Sequence, residues 1–172
     1  MDWIPDAIFR PLRSDEVSRA HGVLVDAHTW LLAKGCPSTV ACSIDEYVAH
    51  QERETNYVLE SAGELAVVLT LSWERPARWG EQFMEPVYWL SRVATAPGFR
   101  GRGAGVQAVR KAMGHVFDQD IEQLCLDVPA GDAFLIEYFR GLGFREMARQ
   151  DAQLPSGIVE MVLMDLSLLK VC

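Results

Sequence analysis

The feature that most constrains this chain is the segment Ser91-Arg92-Val93-Ala94-Thr95-Ala96-Pro97-Gly98-Phe99-Arg100-Gly101-Arg102-Gly103-Ala104-Gly105-Val106. Tyr88 to Thr95 reads as a strand, Gly98 to Gly105 as a glycine-rich loop, and a helix follows with Val106, Val109, Met113 and Val116 on one face. Ile121 to Val128 is the next strand. A glycine loop that opens a helix has a definite chemistry. The first amides of a helix lack intrahelical partners, and the helix dipole makes that end positive. Glycine lets the backbone approach an anion with no side chain in the way. The loop is therefore a phosphate cradle, and a pyrophosphate is its natural guest. Arg100 and Arg102 add positive charge in a chain whose net charge is −8.

Three other readings of the loop are weighed beside this one. A Walker loop needs Gly-Lys-Ser or Gly-Lys-Thr at its end, and neither is present. A dinucleotide loop fits in part: Gly103, Gly105 and Ala108 match G-x-G-x-x-A, and Asp127 ends the next strand. Against it, Pro97-Gly98-Phe99-Arg100 separate the strand from the glycines. The third is a glycine turn that merely caps a helix.

Around this segment the chain reads as a mixed α/β protein built on a central sheet. Ala7 to Leu12 is a short strand. Ser14 is a helix N-cap with Asp15 and Glu16 in the first turn. Val17, Ala20, Leu24, Ala27 and Leu31 recur at helical spacing, and Gly35 stops that helix. Ser43 caps a second helix ending near Glu54. Tyr57 to Glu60 and Glu64 to Ser72 form a hairpin with Ala62-Gly63 at its turn. Leu65 to Leu71 is nearly all apolar, as in a strand covered on both faces. A loop runs from Glu74 to Pro86. Asp132 to Leu142 is a helix ended by Gly143, and Phe144 to Leu154 pairs with Val159 to Leu166.

Composition narrows the function. With 172 residues, 49% hydrophobic and 23% charged, the chain fits one ordinary globular domain over 1–172. A net charge of −8 argues against nucleic acid as a partner and favours a cationic acceptor such as an amine. No secretion signal and no apolar run of membrane-spanning length is present, so no membrane is expected. Cys36, Cys42, Cys125 and Cys172 show no zinc-ligand spacing; reduced thiols in the cytoplasm are the simple reading, and no metal is expected. His21, His28, His50 and His115 form no catalytic or metal set.

The segment from Pro97 to Val106 resembles the coenzyme A signature of the GNAT acyltransferases, Q/R-x-x-G-x-G/A, through Arg100, Gly103 and Gly105, with Pro97 and Phe99 before them. A second block is also similar to that family: Leu126-Asp127-Val128, Asp132, then Tyr138-Phe139-Arg140-Gly141-Leu142-Gly143-Phe144. The Trp30-Leu31 to Gly35 stretch resembles one bacterial branch of it. The resemblance implies a GNAT fold: a mostly antiparallel sheet of six to seven strands with a splayed middle pair and about four helices. It implies acetyl-CoA or another acyl-CoA as donor, and transfer to an amine of a small molecule or peptide by direct attack. Val93 and Thr95 would contact the donor through their backbone, with an N–H near Val93 or Ala94 polarising the thioester carbonyl. Arg100, Gly101, Arg102, Gly103, Ala104, Gly105 and Val106 would hold the pyrophosphate. Asp132 and Phe139 fall at further cofactor-facing slots, though Asp132 also reads as a helix N-cap.

The amine needs a base; Glu74, Glu81, Glu85 and Asp127 are the carboxylates considered, with solvated surface charge as the alternative for each. The slot where many relatives carry an acid tyrosine holds Phe139 here. Tyr138 is one residue earlier, turned by about 100° on a helix, so a packing role stands beside the acid role. Trp73 and Trp79 could shape an acceptor pocket. A catalytically silent GNAT-fold module that binds an acyl-CoA or a protein partner remains open. So do a transferase with a carrier-bound donor and a homodimeric state.

Overall fold

Every residue from Leu65 to Leu71 is buried, as an apolar run covered on both faces must be. The run forms the body of strand β3 (Glu64–Ser72). β3 pairs antiparallel with β2 (Asn56–Ser61). Their turn places both Ala62 and Gly63 at positive φ, 50° and 80°, the turn that matches strand twist in a tight hairpin. β2 pairs antiparallel with β1 (Ile8–Pro11). The computed structural model describes residues 3–53, 55–83 and 86–168.

Helices α1 (Val17–Ala33) and α2 (Ile44–Glu52) lie between β1 and β2 in the chain. The helical spacing in α1 buries Val17, Ala20, Leu24 and Ala27 in a core shared with Tyr47, Val58, Val68 and Ala94. Gly35, at φ 72°, follows its end. Ser43 caps α2, its Oγ accepting the Glu46 N–H at 3.1 Å. The expected Ser14 cap does not form. Ser14–Glu16 is a 3-10 turn, and the Glu16 carboxylate takes the Arg13 backbone N–H at 3.0 Å while the Arg10 guanidinium reaches it at 2.7 and 2.8 Å. Hydrogen bonds to a carboxylate are stronger than those to a hydroxyl, so the glutamate fixes this turn.

Strand β4 (Tyr88–Thr95) leads to helix α3 (Ala104–Asp118). Then come β5 (Gln123–Pro129), α4 (Ala133–Gly141), β6 (Arg145–Leu154) and β7 (Gly157–Ser167). In α3 the buried stripe is Ala108, Val109, Ala112 and Val116. The small alanines let the helix sit close, while Val106 and Met113 stay half-buried. The strand order is β1-β2-β3-β4-β5-β7-β6. Seven strands and four α-helices among the described residues make the mixed α/β fold that the family resemblance implies.

The chain divides into two compact units: Met1–Leu71 with Ser91–Ala112, and Ser72–Leu90 with Met113–Cys172. The first holds β1 to β3, α1, α2, Ser91–Thr95 of β4 and the start of α3. In the second, β4 pairs in parallel with β5 at Tyr88↔Leu124 and Trp89↔Cys125. β7 pairs antiparallel with both β5 and β6. Its core includes Trp79, Phe83, Trp89, Met161 and Leu163. The stretch after β3 holds a 3-10 turn, Ala77–Gln82. Cys36, Cys42 and Cys125 are free thiols; Cys172 lies outside the described residues. Among those residues, no helix is long and apolar enough to cross a membrane.

Candidate active site

The first unit carries the glycine loop. In β4, Ala94 packs into the core while Val93 and Thr95 are half-buried. Pro97–Phe99 forms one 3-10 turn, and buried Phe99 anchors it. Gly101 and Gly103 both adopt φ 74°, the left-handed region that glycine enters freely. The first rung of α3 runs from the Gln107 N–H to the Gly103 carbonyl at 3.0 Å. The amides of Ala104, Gly105 and Val106 precede that rung, so they have no partner within the helix. Left-handed residues just before a helix start turn successive amides toward one concave face, which suits an anion. A Cβ on Gly101 would meet nothing within 4 Å, so the space beside the loop is open.

Gln107 fixes the start of α3. Its side chain accepts from the Ile4 N–H at 3.1 Å and donates to the Ile4 carbonyl at 3.2 Å. Arg100 donates to Asp26 on α1 at 2.8 Å and lies 4.7 Å from the Trp30 ring centre. Lys34 stands 4.5 Å from that same ring. Arg102 folds back on the loop, 5.4 Å from the Phe99 ring centre. The expected pyrophosphate residues thus form one continuous turn, with a guanidinium on either side of Gly101 in sequence.

The second unit holds the other candidates. Asp127 on β5 accepts three hydrogen bonds at one oxygen: from Arg78 Nε at 3.0 Å, Arg78 Nη2 at 2.5 Å and Trp79 Nε1 at 2.7 Å. It thereby pins the 3-10 turn at Ala77–Gln82 and orients the fully buried Trp79. Asp132 caps α4, its Oδ1 accepting the Leu135 N–H at 3.0 Å. Phe139 is buried, with its ring 5.1 Å from Tyr138 and 5.5 Å from Phe144. Tyr138 is half-buried beside Phe134, and burial pushes its phenol up to about 12. Glu74 is exposed at the end of β3, with its N–H donated to Ser72 Oγ at 2.9 Å. Trp73 stacks on Tyr88 at 4.2 Å. Glu85 lies outside the described residues, as does the side chain of Glu81. Among the described residues no group of three or more His, Cys, Asp or Glu could hold a metal ion.

One cluster in the first unit escaped the sequence reading. Arg92, inside β4, has φ 52°. Its Nη2 donates to Glu46 of α2 at 2.7 Å, and its Nε is buried with no hydrogen-bond partner. The Tyr47 hydroxyl is buried and unpartnered as well. The hint in the sequence is a charged residue midway through a mostly apolar strand.

No curated protein sequence matches the chain. Several solved structures share its fold. The ribosomal-protein-S18-alanine N-acetyltransferase of Escherichia coli superposes with a TM-score of 0.73 at 16% identity, covering 96% of each chain. A GNAT-family acetyltransferase of Listeria monocytogenes gives 0.80 at 16% identity, covering 94% of this chain and 95% of that one. The Salmonella typhimurium protein yncA, solved with its cofactor acetyl-CoA, gives 0.69 at 16% identity, covering 97% and 96%. The family model described as "Acetyltransferase (GNAT) family" matches residues 25–144, a span that includes β4, the glycine loop and α4. This chain, a strand leading through a left-handed glycine turn into a helix, therefore belongs to the GNAT family of acetyltransferases.

Proposed function

We propose that this transferase moves an acetyl group from acetyl-CoA to a primary amine of a small molecule or peptide, by direct attack and without a covalent enzyme intermediate. One observation carries the reading: Gly101 and Gly103 at φ 74° lead into the unpaired amides of Ala104, Gly105 and Val106. Those amides, with Arg100 and Arg102, suit a diphosphate. A Cβ on Gly101 would meet nothing within 4 Å, so no side chain stands in the way of a guest there. The acetyl-CoA in yncA and the amine substrate in the Escherichia coli enzyme's name support the donor and acceptor classes. The free thiols Cys36, Cys42 and Cys125 suit a cytoplasmic protein.

In this reading the thioester supplies an activated acyl carbon. The backbone of Val93 and Thr95 aligns the donor arm, and an N–H of Val93 or Ala94 donates to the carbonyl oxygen as negative charge develops there. The C–N bond forms, the C–S bond breaks, and the leaving sulfur takes a proton. Tyr138 is the acid candidate: a phenol titrating near 12 still holds its proton at neutral pH. Asp127 is already committed to Arg78 and Trp79, which counts against it as the base; Glu74 and Glu85 are the other carboxylate candidates. Asp132, which caps α4, and buried Phe139 remain the further cofactor candidates that the resemblance implies.

Calorimetric titration with acetyl-CoA, followed by thiol release on adding an amine library, tests the proposal. Binding that persists in the Gly103→Trp, Gly105→Trp double variant would refute the assigned loop. Phe139, which has no proton to give, favours a second reading as a silent acyl-CoA-binding module. Binding heat without thiol release for any amine would select it.

A further inference from the structure

The Arg92 cluster carries an inference about the acceptor, and it rests on the transferase reading above. Arg92 immediately precedes Val93 and Ala94, the residues proposed to polarise the thioester. Its backbone is left-handed at φ 52° inside a strand, a strained conformation for a non-glycine residue that persists where the surrounding structure enforces it and clusters at functional sites. An arginine that only paired with Glu46 would not need that geometry.

The guanidinium is incompletely used. Its side chain is 16% exposed. The Nη2 group reaches Glu46 Oε1 at 2.7 Å, and Nη1 lies 3.4 Å from Ser91 Oγ. The Nε donor has no partner and no water access. Nε and Nη2 form one edge of the guanidinium fork, the edge that takes a carboxylate in bidentate fashion. Glu46 fills half of it. The Tyr47 hydroxyl supplies another buried donor with nothing to meet. The Arg92 guanidinium hydrogen-bonds the Cys42 thiol and acts electrostatically on both that thiol and Tyr47, opposing the upward push of burial on each. Leaving a buried donor unmet is costly, and this cluster carries two. The Glu46 side chain is 52% exposed, so it can swing into water and uncover the edge.

We propose that the Nε/Nη2 edge of Arg92, together with the Tyr47 hydroxyl, binds a carboxylate of the acceptor, so that the amine acetylated belongs to a small amino acid. Glu46 orients the guanidinium when no acceptor is bound. On displacement it faces the acceptor's ammonium group. The pair thus reads both charges of a zwitterion.

Thiol release is measured with matched sets of the common amino acids, their carboxamides and their decarboxylated amines. Amino acids should exceed their carboxamides about 100-fold in kcat/KM, the loss expected when a bidentate charged contact is removed. Arg92→Lys keeps the charge but loses the edge. It should cut kcat/KM for the amino acid by about 10- to 100-fold, mainly through KM, while leaving the carboxamide and acetyl-CoA binding unchanged. Tyr47→Phe discriminates further. Removing an unmet hydroxyl should not lower the melting temperature, yet it should weaken the amino acid selectively. Carboxamides or plain amines turned over as well as amino acids would overturn this inference and leave the transferase reading standing. Equal losses on both substrate classes in Arg92→Lys would do the same. Failure of every amine to release thiol would sink both.

Discussion

A carboxylate as buried as Glu16, 2% exposed, persists because positive groups surround it. Arg10 grips both its oxygens, and the Arg13 side chain, the Arg13 backbone N–H and Arg19 add three further contacts at 2.8, 3.0 and 3.3 Å. The hydrogen bonds from Arg10, foremost, hold its carboxyl down to about 2. The sign follows from that depression. Above the ordinary carboxylate range the network contributes fully, and as pH falls toward 2 the folded state loses that contribution. Glu16→Gln should therefore destabilise the protein by about 1–3 kcal/mol at neutral pH, because it removes the charged hydrogen bonds to Arg10 and leaves that guanidinium with Glu60, at 2.8 Å, as its remaining carboxylate. It should also flatten the decline in melting temperature between about pH 4.5 and 2. Thermal melts across that range check both effects; an unchanged acid slope in the variant would remove Glu16 from the explanation. In the sequence Glu16 read only as a helix-dipole partner, because the arginine that matters most lies on β1, outside the helix.

The elements nearest the loop were the most legible. Tyr88–Thr95 as a strand, the glycine turn and the helix after it all come from local rules: apolar patterning, proline and glycine punctuation, and unpaired helix amides. What local rules do not reach is set by distant partners. Arg92's left-handed backbone leaves no mark on strand propensity. The Ala77–Gln82 turn read as loop because its ordering comes from Asp127, 48 residues from Trp79. The glycines themselves allow a sharp element-scale prediction. Gly98 and Gly101 both have open space at the Cβ position, but only Gly101 has positive φ. Gly101→Ala should lower unfolding free energy by about 1–2 kcal/mol, while Gly98→Ala should change it by no more than about 0.5 kcal/mol. Urea denaturation of the pair measures the difference. Equal effects would mean that the loop tolerates a side chain regardless of its backbone, which the left-handed turn forbids.

Across the whole molecule, the sequence order of helices and strands emerged correctly from periodicity, but the spatial order of strands did not. β5 lies beside β7, with β6 outside it. Nothing local distinguishes that order from a simple meander, because Cys125 and Leu126 of β5 and the run from Met161 to Met164 of β7 are apolar whichever neighbour they meet. The family resemblance, resting on Arg100, Gly103 and Gly105, supplied the class of sheet but not this order. Binding at the glycine loop should be visible in the stability of the entire chain. A donor that binds only the folded state stabilises it by about 2.7 kcal/mol at a concentration 100 times its Kd. For a chain of 172 residues, that corresponds to a rise in Tm of about 5–10 °C. The rise should grow with the logarithm of acetyl-CoA concentration and vanish in the Gly103→Trp, Gly105→Trp variant. An amine alone should give a much smaller shift, since it lacks the diphosphate that the amides of Ala104, Gly105 and Val106 receive. A Tm indifferent to acetyl-CoA, in a protein that remains folded, would leave those amides without a ligand and remove the physical basis for placing the donor there.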